Sequence, residues 1–229
     1  LDNWDVSKVK NMNGMFSYCR NFNQSLNDWD VSQVITMSSM FTGCEAFNEQ
    51  LNKWDVRNVT NMAGMFNDCK AFNQPLGEWN VSKVTNMGNM FRGCLVFNES
   101  LNEWNVSQVT NMTYMFDGCK AFNQPLNEWN VENVTDMRFM FARCEAFNQP
   151  LNTVEITLPD GTKYLSWDVS QVRDMESMFE NCKVFNQPLH KWDVSQVIRK
   201  YSMFRGCYTF LEHQNNTIKH FGATKYSIS

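Results

Sequence analysis

Cysteine side chains can bind metals or form disulfides, and in this chain cysteine recurs at a fixed interval. Successive cysteines are 25 residues apart, with one interval of 38: Cys19, Cys44, Cys69, Cys94, Cys119, Cys144, Cys182 and Cys207. Zinc takes four converging ligands, usually from C-x-x-C or C-x-x-H pairs, and the chain has neither pair. Stacked cysteines that point the same way rarely reach the dihedral angle of a disulfide. The spacing therefore predicts free, buried thiols and no metal site.

A column of aspartate and asparagine is the second chemical feature, and it keeps the same interval. Its members are Asp5, Asp30, Asp55, Asn80, Asn105, Asn130, Asp168 and Asp193. Stacked carboxylates repel one another, so either cations or hydroxyl donors must offset the repulsion. The hydroxyl donors available are Ser7, Ser32, Ser82 and Ser107. Two interpretations stay open: a calcium-binding or other ligand-binding column, and a solvated polar face.

Threonine and histidine offer weaker candidates. A row of Thr60, Thr85, Thr110 and Thr135 is interrupted by lysine, arginine and isoleucine in the other units, so it only weakly favours ice binding. The three histidines, His190, His213 and His220, lie near the C-terminus, two of them in an irregular tail, and do not favour a metal site. An enzyme needs a nucleophile, a base and an electrostatic stabiliser that converge. No such group interrupts the pattern, so we expect neither an enzyme nor a cofactor.

The cysteines, the Asp/Asn column and the threonine row belong to one repeated unit, L-N-x-W-(D/N)-V-S-x-V-T-N-M-x-x-M-F-x-x-C-x-x-F-N-Q-P. Its tryptophans are Trp4, Trp29, Trp54, Trp79, Trp104, Trp129, Trp167 and Trp192. A fixed period of this length is typical of a solenoid, in which each unit buries its apolar side chains only by stacking on its neighbours. Residues 1–229 are therefore predicted to form a single solenoid domain of eight 25-residue units.

The pattern within a unit predicts a short strand, a tight turn and a corner. W-D-V-S alternates, which favours a strand with Trp79 and Val81 inward and Asn80 and Ser82 outward. M-F-x-x-C suits a helical or 3₁₀ turn on the opposite side, and Asn, Gln and Pro form the return corner. The expected fold is an α/β repeat solenoid, a right-handed coil with short parallel strands on one face and turns on the other.

A ladder of asparagines is predicted at the corner, where their amides would satisfy the backbone. Its members are Asn23, Asn48, Asn73, Asn98, Asn123, Asn148 and Asn186. Leu211 takes this place in the last unit, which predicts that the ladder ends there.

Two segments depart from the repeat. Residues 153–165 alternate apolar and polar side chains around Pro159-Asp160-Gly161, which predicts a projecting β-hairpin. Insertions in repeat arrays often lie on the binding face. The hairpin candidates for ligand contact are Glu155, Asp160, Lys163 and Tyr164, although an insertion without a task remains an alternative. Residues 211–229 are predicted to cap the core, with Ile218, Phe221 and Tyr226 covering its end.

Charge and hydropathy exclude several classes of partner. The net charge is −4, and lysine and arginine form no cluster, so we expect no nucleic acid. No run of about eighteen apolar residues is present, so no transmembrane segment is expected. The chain opens at Leu1, the first position of the repeat, which indicates a mature form or an excised fragment. We expect a monomer.

The run V-T-x-M-x-x-M-F-x-x-C-x-x-F, followed by L-x-x-W-x-V, resembles BspA-like leucine-rich repeats. It is more similar still to the 25-to-26-residue bacterial surface protein repeat of mycoplasma-type lipoproteins. The matching residues of one unit are Leu101, Trp104, Val106, Val109, Met112, Met115, Phe116, Cys119 and Phe122. The resemblance implies a leucine-rich-repeat solenoid at a bacterial cell surface or secreted, associated with adhesion to a host or matrix protein or glycan. It supplies no catalytic residue.

Two functions therefore compete: a binding or adhesion module for a protein or glycan, and an array that only displays its repeats. Variation at the third position of the unit, which includes Asp28, Lys53, Glu78 and Lys191, favours the binding module. The ice- or calcium-binding solenoid is a further alternative.

Overall fold

The protein is a stack of coils, each formed by one repeated unit. The computed structural model describes residue 1 and residues 4–222. Adjacent coils are linked at one equivalent residue by parallel β-bridges, which join in turn Asn11, Thr36, Asn61, Asn86, Asn111, Asp136, Asp174 and Arg199. The predicted repeat architecture is therefore present, and the right-handed sense of the coil stays a prediction.

Regular secondary structure occurs only outside the repeats within the described part of the chain. The insert contains β1, Val154–Thr157, and β2, Lys163–Ser166, which pair antiparallel. The C-terminal segment contains α1, Tyr208–His213, and α2, Asn215–His220. Across the residues that the structure describes, no helix is long and apolar enough to cross a bilayer.

The predicted strand at W-D-V-S is wrong. In the fourth unit the Trp79 N–H donates to the Leu76 carbonyl at 3.0 Å, and the Val84 N–H donates to the Val81 carbonyl at 2.9 Å. The segment thus lies between two tight turns and is too short to form a ladder with the neighbouring coils. The predicted inward positions are nevertheless confirmed, since Trp79 and Val81 are buried; of the two predicted outward residues, Asn80 is exposed and Ser82 is half-buried.

The coils pair instead along M-x-x-M-F-x-x-C, the segment that we call the turn face. Every second N–H group on it donates to the next coil; in the fourth unit these belong to Met87, Asn89, Phe91 and Gly93, at 2.7 to 3.1 Å. The intervening groups, from Met90, Arg92 and Cys94, donate to carbonyls three residues earlier. Of the predicted helical or 3₁₀ turn, the 3₁₀-type bonds are present, but no continuous helix forms, because half of the N–H groups bond between coils rather than along the chain.

Apolar residues of equivalent position stack into continuous columns in the core. The rings of Phe66 and Phe91 lie 5.7 Å apart and 6° from parallel, and those of Trp54 and Trp79 lie 6.3 Å apart at 4°. Each coil therefore supplies part of the apolar surroundings of the next, which is why one unit alone has no core.

The corner asparagines form the predicted ladder. The Oδ1 atom of Asn98 accepts the backbone N–H of Asn123 at 2.9 Å, and each described coil repeats the contact with its successor. The ladder ends at Gln214, whose Nε2 donates to the carbonyl and the Oδ1 of Asn186. The prediction is confirmed because the amide satisfies a backbone group at every corner.

Helices α1 and α2 cover the C-terminal end of the core. Ile218 and Phe221 are buried, and the Phe221 ring meets Phe204 edge-on at 5.6 Å and 87°. An edge-on ring cannot continue a column of parallel rings, so the stack ends here. Tyr226, the third predicted cap residue, lies outside the described residues.

Candidate functional site

The Asp/Asn column shapes a turn in every coil. Each Oδ1 accepts the backbone N–H two residues later at 3.0 to 3.2 Å, in Asp5, Asp30, Asp55, Asn80, Asn105, Asn130, Asp168 and Asp193. Asparagine and aspartate are interchangeable in this contact because both carry the same carbonyl-type oxygen. One oxygen of each column residue therefore serves the fold.

Serine hydroxyls offset part of the charge of the column. The Ser7 Oγ–H donates to Asp5 Oδ1 at 2.6 Å, and the Ser82 Oγ–H donates to Asn80 at 2.7 Å. Hydrogen bonds from the side chain and then the backbone of Ser32 lower the pKa of Asp30. No group of three or more His, Cys, Asp or Glu side chains with metal-ligand geometry occurs in the part of the chain that the structure describes.

The hairpin lies back against the coils instead of projecting freely. The Tyr164 Oη–H donates to the Glu128 carbonyl oxygen at 2.6 Å, and the Thr153 Oγ–H donates to the Trp167 carbonyl oxygen at 2.9 Å. The first contact holds β2 against the sixth coil, and the second closes the base of the hairpin.

Two of the hairpin candidates have local roles. Glu155 pairs with Lys163 across the strands at 2.7 Å, with both side chains mostly exposed. Asp160 Oδ1 accepts the Thr162 N–H at 2.8 Å in the turn, where Gly161 has a φ of 85°. These contacts order the hairpin without adding to a shared site.

A groove forms where the hairpin leans over the fifth and sixth coils. It encloses about 390 Å³, and it brings together four of the predicted site residues: Asn105, Asn130, Lys163 and Tyr164. The other predicted residues lie outside its lining: Asp30, Asp55, Asn80, Asp168, Asp193, Glu155 and Asp160. Residues of the Asp/Asn column and residues of the hairpin thus line the same cavity, which we call the hairpin groove.

The hairpin groove is mostly acidic and amide-lined. Glu103, Glu128 and Glu132 contribute carboxylates against the single ammonium of Lys163. Burial, followed by the charges of Glu128 and Glu103, raises the pKa of Tyr164, so its hydroxyl keeps its proton. The groove therefore offers hydrogen-bond acceptors on the coils and the ammonium of Lys163 as a donor on the hairpin, while the Tyr164 hydroxyl hydrogen is used by the Glu128 carbonyl.

The cysteines and histidines do not take part in this groove. All eight thiols are free, and seven are buried, which confirms the prediction for every cysteine except Cys19, which is exposed. Each buried Sγ lies against a phenylalanine carbonyl of the preceding coil, as Cys119 does with Phe91 at 2.9 Å. His213 and His220 contact the backbone carbonyls of Thr209 and Trp192. These side chains serve packing and capping.

The hydroxyl groups of the threonine row donate hydrogen bonds to backbone carbonyls. The Oγ–H groups of Thr60, Thr85, Thr110 and Thr135 donate to carbonyl oxygens of the preceding coil at 3.2 to 3.4 Å. Their hydroxyl hydrogens are therefore committed to the stack.

The sequence analysis missed a cluster on the turn face: Arg92, Tyr114, Asp117, Phe139 and Arg143. Tyr114 and Phe139 stack at 4.6 Å and 5° outside the core, and the Arg92 guanidinium lies 5.3 Å from the Tyr114 ring centre. Burial raises the pKa of Asp117, while Arg143 and Arg92 act in the opposite direction. The sequence feature that could have indicated this cluster is the variation at the four x positions of M-x-x-M-F-x-x-C. These positions vary far more between units than the Asp/Asn column does.

Comparison with known proteins gives one family and one solved structure. A family model described as "Mycoplasma protein of unknown function, DUF285" matches residues 1–94, 75–164 and 161–226. A leucine-rich cell surface protein from Faecalibacterium prausnitzii is similar at 14% identity and a TM-score of 0.37, over 95% of this chain and 79% of that chain. Among curated proteins the comparison found no match.

Proposed function

This chain belongs to the DUF285 family of mycoplasma proteins, and on that premise we propose that it is a non-enzymatic surface module that binds a protein or glycan ligand in the hairpin groove. The surface location is part of the proposal and rests on the resemblance of the unit to bacterial surface protein repeats. The binding function rests on the structure of the groove.

The observation that carries the proposal is the hydrogen bond from Tyr164 to the Glu128 carbonyl oxygen. It holds the hairpin over the outward face of the fifth and sixth coils, so that Lys163 and Tyr164 join coil residues in the lining of one groove. Binding sites are commonly concave and carry a few oriented polar groups. An insertion that only lengthened the chain would need no such contact.

The lining of the groove suits a ligand with several hydroxyl or amide groups. Carboxylates of Glu103, Glu128 and Glu132 accept hydrogen bonds, and the amides of Asn105 and Asn130 donate as well as accept. The Nδ2–H of Asn130 is directed to Glu132 at 3.2 Å, which orients both side chains. Saccharide hydroxyls and peptide N–H groups both match this set of partners.

A non-enzymatic role is favoured by where the reactive side chains lie. Seven of the eight thiols are in the core, and His213 and His220 contact backbone carbonyls at the C-terminal end. The groove thus has acceptors and one ammonium, and its lining includes neither histidine nor cysteine.

The test is a binding comparison on glycan and extracellular-protein arrays, each with calcium and with a chelator. The intact chain is compared with a variant that lacks residues 153–165 and with Glu103→Gln. Glu78→Gln is the matched control, because Glu78 occupies the same position of the unit one coil earlier, outside the hairpin groove.

We expect the deletion to abolish binding and Glu103→Gln to weaken it on the order of tenfold, with Glu78→Gln unchanged. Binding that survives the deletion would contradict the groove as the site. Binding lost only with chelator would favour calcium in the Asp/Asn column. A chain that binds no ligand on either array would favour the display array.

A further inference from the structure

The turn face carries side chains that vary between units at backbone positions with positive φ. Two residues of each turn segment have positive φ, one at the position of Tyr114 and one at the position of Gly118. At the first of these positions six of the eight residues are not glycine: Ser39, Asn89, Tyr114, Phe139, Ser177 and Ser202. A non-glycine residue in this region costs about 1–2 kcal/mol, so these side chains are retained against a local penalty.

Tyr114 and Phe139 are the bulkiest residues at this position of the unit. Their φ values are 56° and 55°, and their N–H groups bond to the next coil at 2.8 and 2.9 Å, which holds the backbone in place. Neither ring belongs to the apolar core. Both are half-buried, and they form a stacked pair on the fifth and sixth coils. Strained residues often cluster at binding sites.

Two arginines are held beside these rings by one buried carboxylate. Asp117 Oδ2 accepts Nε–H of Arg92 at 3.2 Å and Nη2–H of Arg143 at 2.6 Å. The Asp117 side chain is fully buried, whereas the arginines are 45% and 51% exposed. Asp117 therefore acts as a positioning residue that fixes two guanidiniums at one place.

The two arginines keep donors for a ligand. Among the contacts of the described residues, Arg92 uses only Nε and Arg143 only Nη2, and a guanidinium has five N–H groups. Two guanidiniums against one carboxylate also leave one positive charge in excess. The remaining N–H groups match the paired oxygens of a carboxylate or sulfate.

We propose that Arg92, Arg143, Tyr114 and Phe139 form a second binding site, for an acidic saccharide whose anionic group is held by the guanidiniums and whose C–H groups contact the stacked rings. This site lies on the turn face and is separate from the hairpin groove. A single sugar residue with a carboxylate or sulfate on its ring combines an anion with an apolar surface at the scale of this patch. An acidic peptide side chain presents the anion on a flexible stem and leaves the rings without a partner.

The test is a titration with a hyaluronan oligosaccharide, which carries carboxylates, and with a heparin oligosaccharide, which also carries sulfates. A neutral chitooligosaccharide and a polyglutamate peptide are the controls. The variants are Arg92→Thr, Arg143→Gly and Tyr114→Ser. The chain itself has each of these residues at an equivalent position, namely Thr42, Gly118 and Ser39, so the coil accommodates them. Thermal midpoints check that the variants fold.

Arg205→Thr is the matched control variant. Arg205 occupies the position of Arg92 in the last coil and faces Glu180 at 3.8 Å, but the residue at the position of Tyr114 in that coil is Ser202. We expect the three patch variants to weaken binding of at least one acidic probe on the order of tenfold and Arg205→Thr to leave it unchanged. Binding of hyaluronan would identify carboxylate as sufficient, and binding of heparin alone would identify sulfate.

Several outcomes would overturn the proposal: no binding of either acidic saccharide, equal binding of the chitooligosaccharide or of polyglutamate, or an equal loss in Arg205→Thr. The variant that lacks residues 153–165 separates this site from the hairpin groove. It keeps acidic-saccharide binding if the patch acts independently, and loss of that binding would contradict a separate site.

Discussion

The indole Nε1–H of Trp104 donates a hydrogen bond of 2.9 Å to the carbonyl oxygen of Leu76, 28 residues earlier in the chain. The same contact joins every tryptophan from Trp54 to Trp192 to the coil before it. Each tryptophan therefore fills the core and also satisfies a buried backbone group of its neighbour.

Replacing Trp104 with alanine should destabilise the protein by about 3–5 kcal/mol or more, because a buried ring is lost and the Leu76 carbonyl loses one of its two donors, keeping only the Trp79 N–H. Chemical denaturation followed by circular dichroism measures the change. Trp4→Ala is the control: Trp4 is 54% exposed, so its replacement should cost much less. An unchanged unfolding midpoint for Trp104→Ala would refute the inward placement of the column.

Thiol reactivity should distinguish one cysteine from the other seven. Cys19 is exposed and the others are buried, so a thiol reagent should modify only Cys19 in the native protein. Mass spectrometry after brief labelling locates the adduct, and labelling in denaturant should modify all eight. Rapid native labelling of Cys119 would contradict its burial in the core.

Stability should decrease at alkaline pH because of the buried thiols. Burial raises the pKa of Cys44 to about 11 and raises those of Cys119 and Cys144 well above the ordinary value. An unfolded thiol loses its proton near about pH 8.5, whereas the folded one keeps it. This contribution is therefore fully present below about pH 8.5 and is lost as the pH rises toward the folded-state pKa values.

Thermal unfolding measured across this pH range tests the effect. A Cys119→Ala variant should show a shallower alkaline decrease than the unmodified protein, since it has one buried thiol fewer. Equal slopes for the two proteins would contradict the assignment.

Deleting residues 153–165 should leave a folded solenoid. The deletion joins Asn152 to Ser166 and restores the sequence L-N-S-W of an ordinary unit. The core already passes through this point without interruption, because Phe141 and Phe179 stack at 5.6 Å and Trp167 bonds to the Leu126 carbonyl at 2.8 Å. We expect the unfolding midpoint and the circular dichroism spectrum to change little; loss of cooperative unfolding would show that the hairpin supports the stack.

The repeat made much of the fold predictable. Because each unit can bury its apolar residues only against its neighbours, the period alone indicated a stack of coils, the inward positions of Trp79 and Val81, and the asparagine ladder. The alternation around Pro159-Asp160-Gly161 likewise predicted a hairpin, and the structure has β1 and β2 there. The resemblance to mycoplasma surface repeats agrees with the family match.

The pairing of the coils was decided by the tertiary structure. The sequence favoured a strand at W-D-V-S, but the N–H groups two residues after the Asp/Asn column bond to the Oδ1 atoms, which turns the chain there. The turn face bonds between coils instead, and it does so through residues of positive φ such as Asn89, a conformation that periodicity does not reveal.

Which side chains meet was also decided by tertiary structure. The sequence by itself determined the repeating core, since burial imposes the same residue types at every turn of the coil. It did not place Tyr164 on the Glu128 carbonyl or Arg92 and Arg143 on Asp117, because those partners are 25 or more residues apart and vary from unit to unit. Only the stacking of neighbouring coils brings such residues into contact, and both proposed sites depend on it.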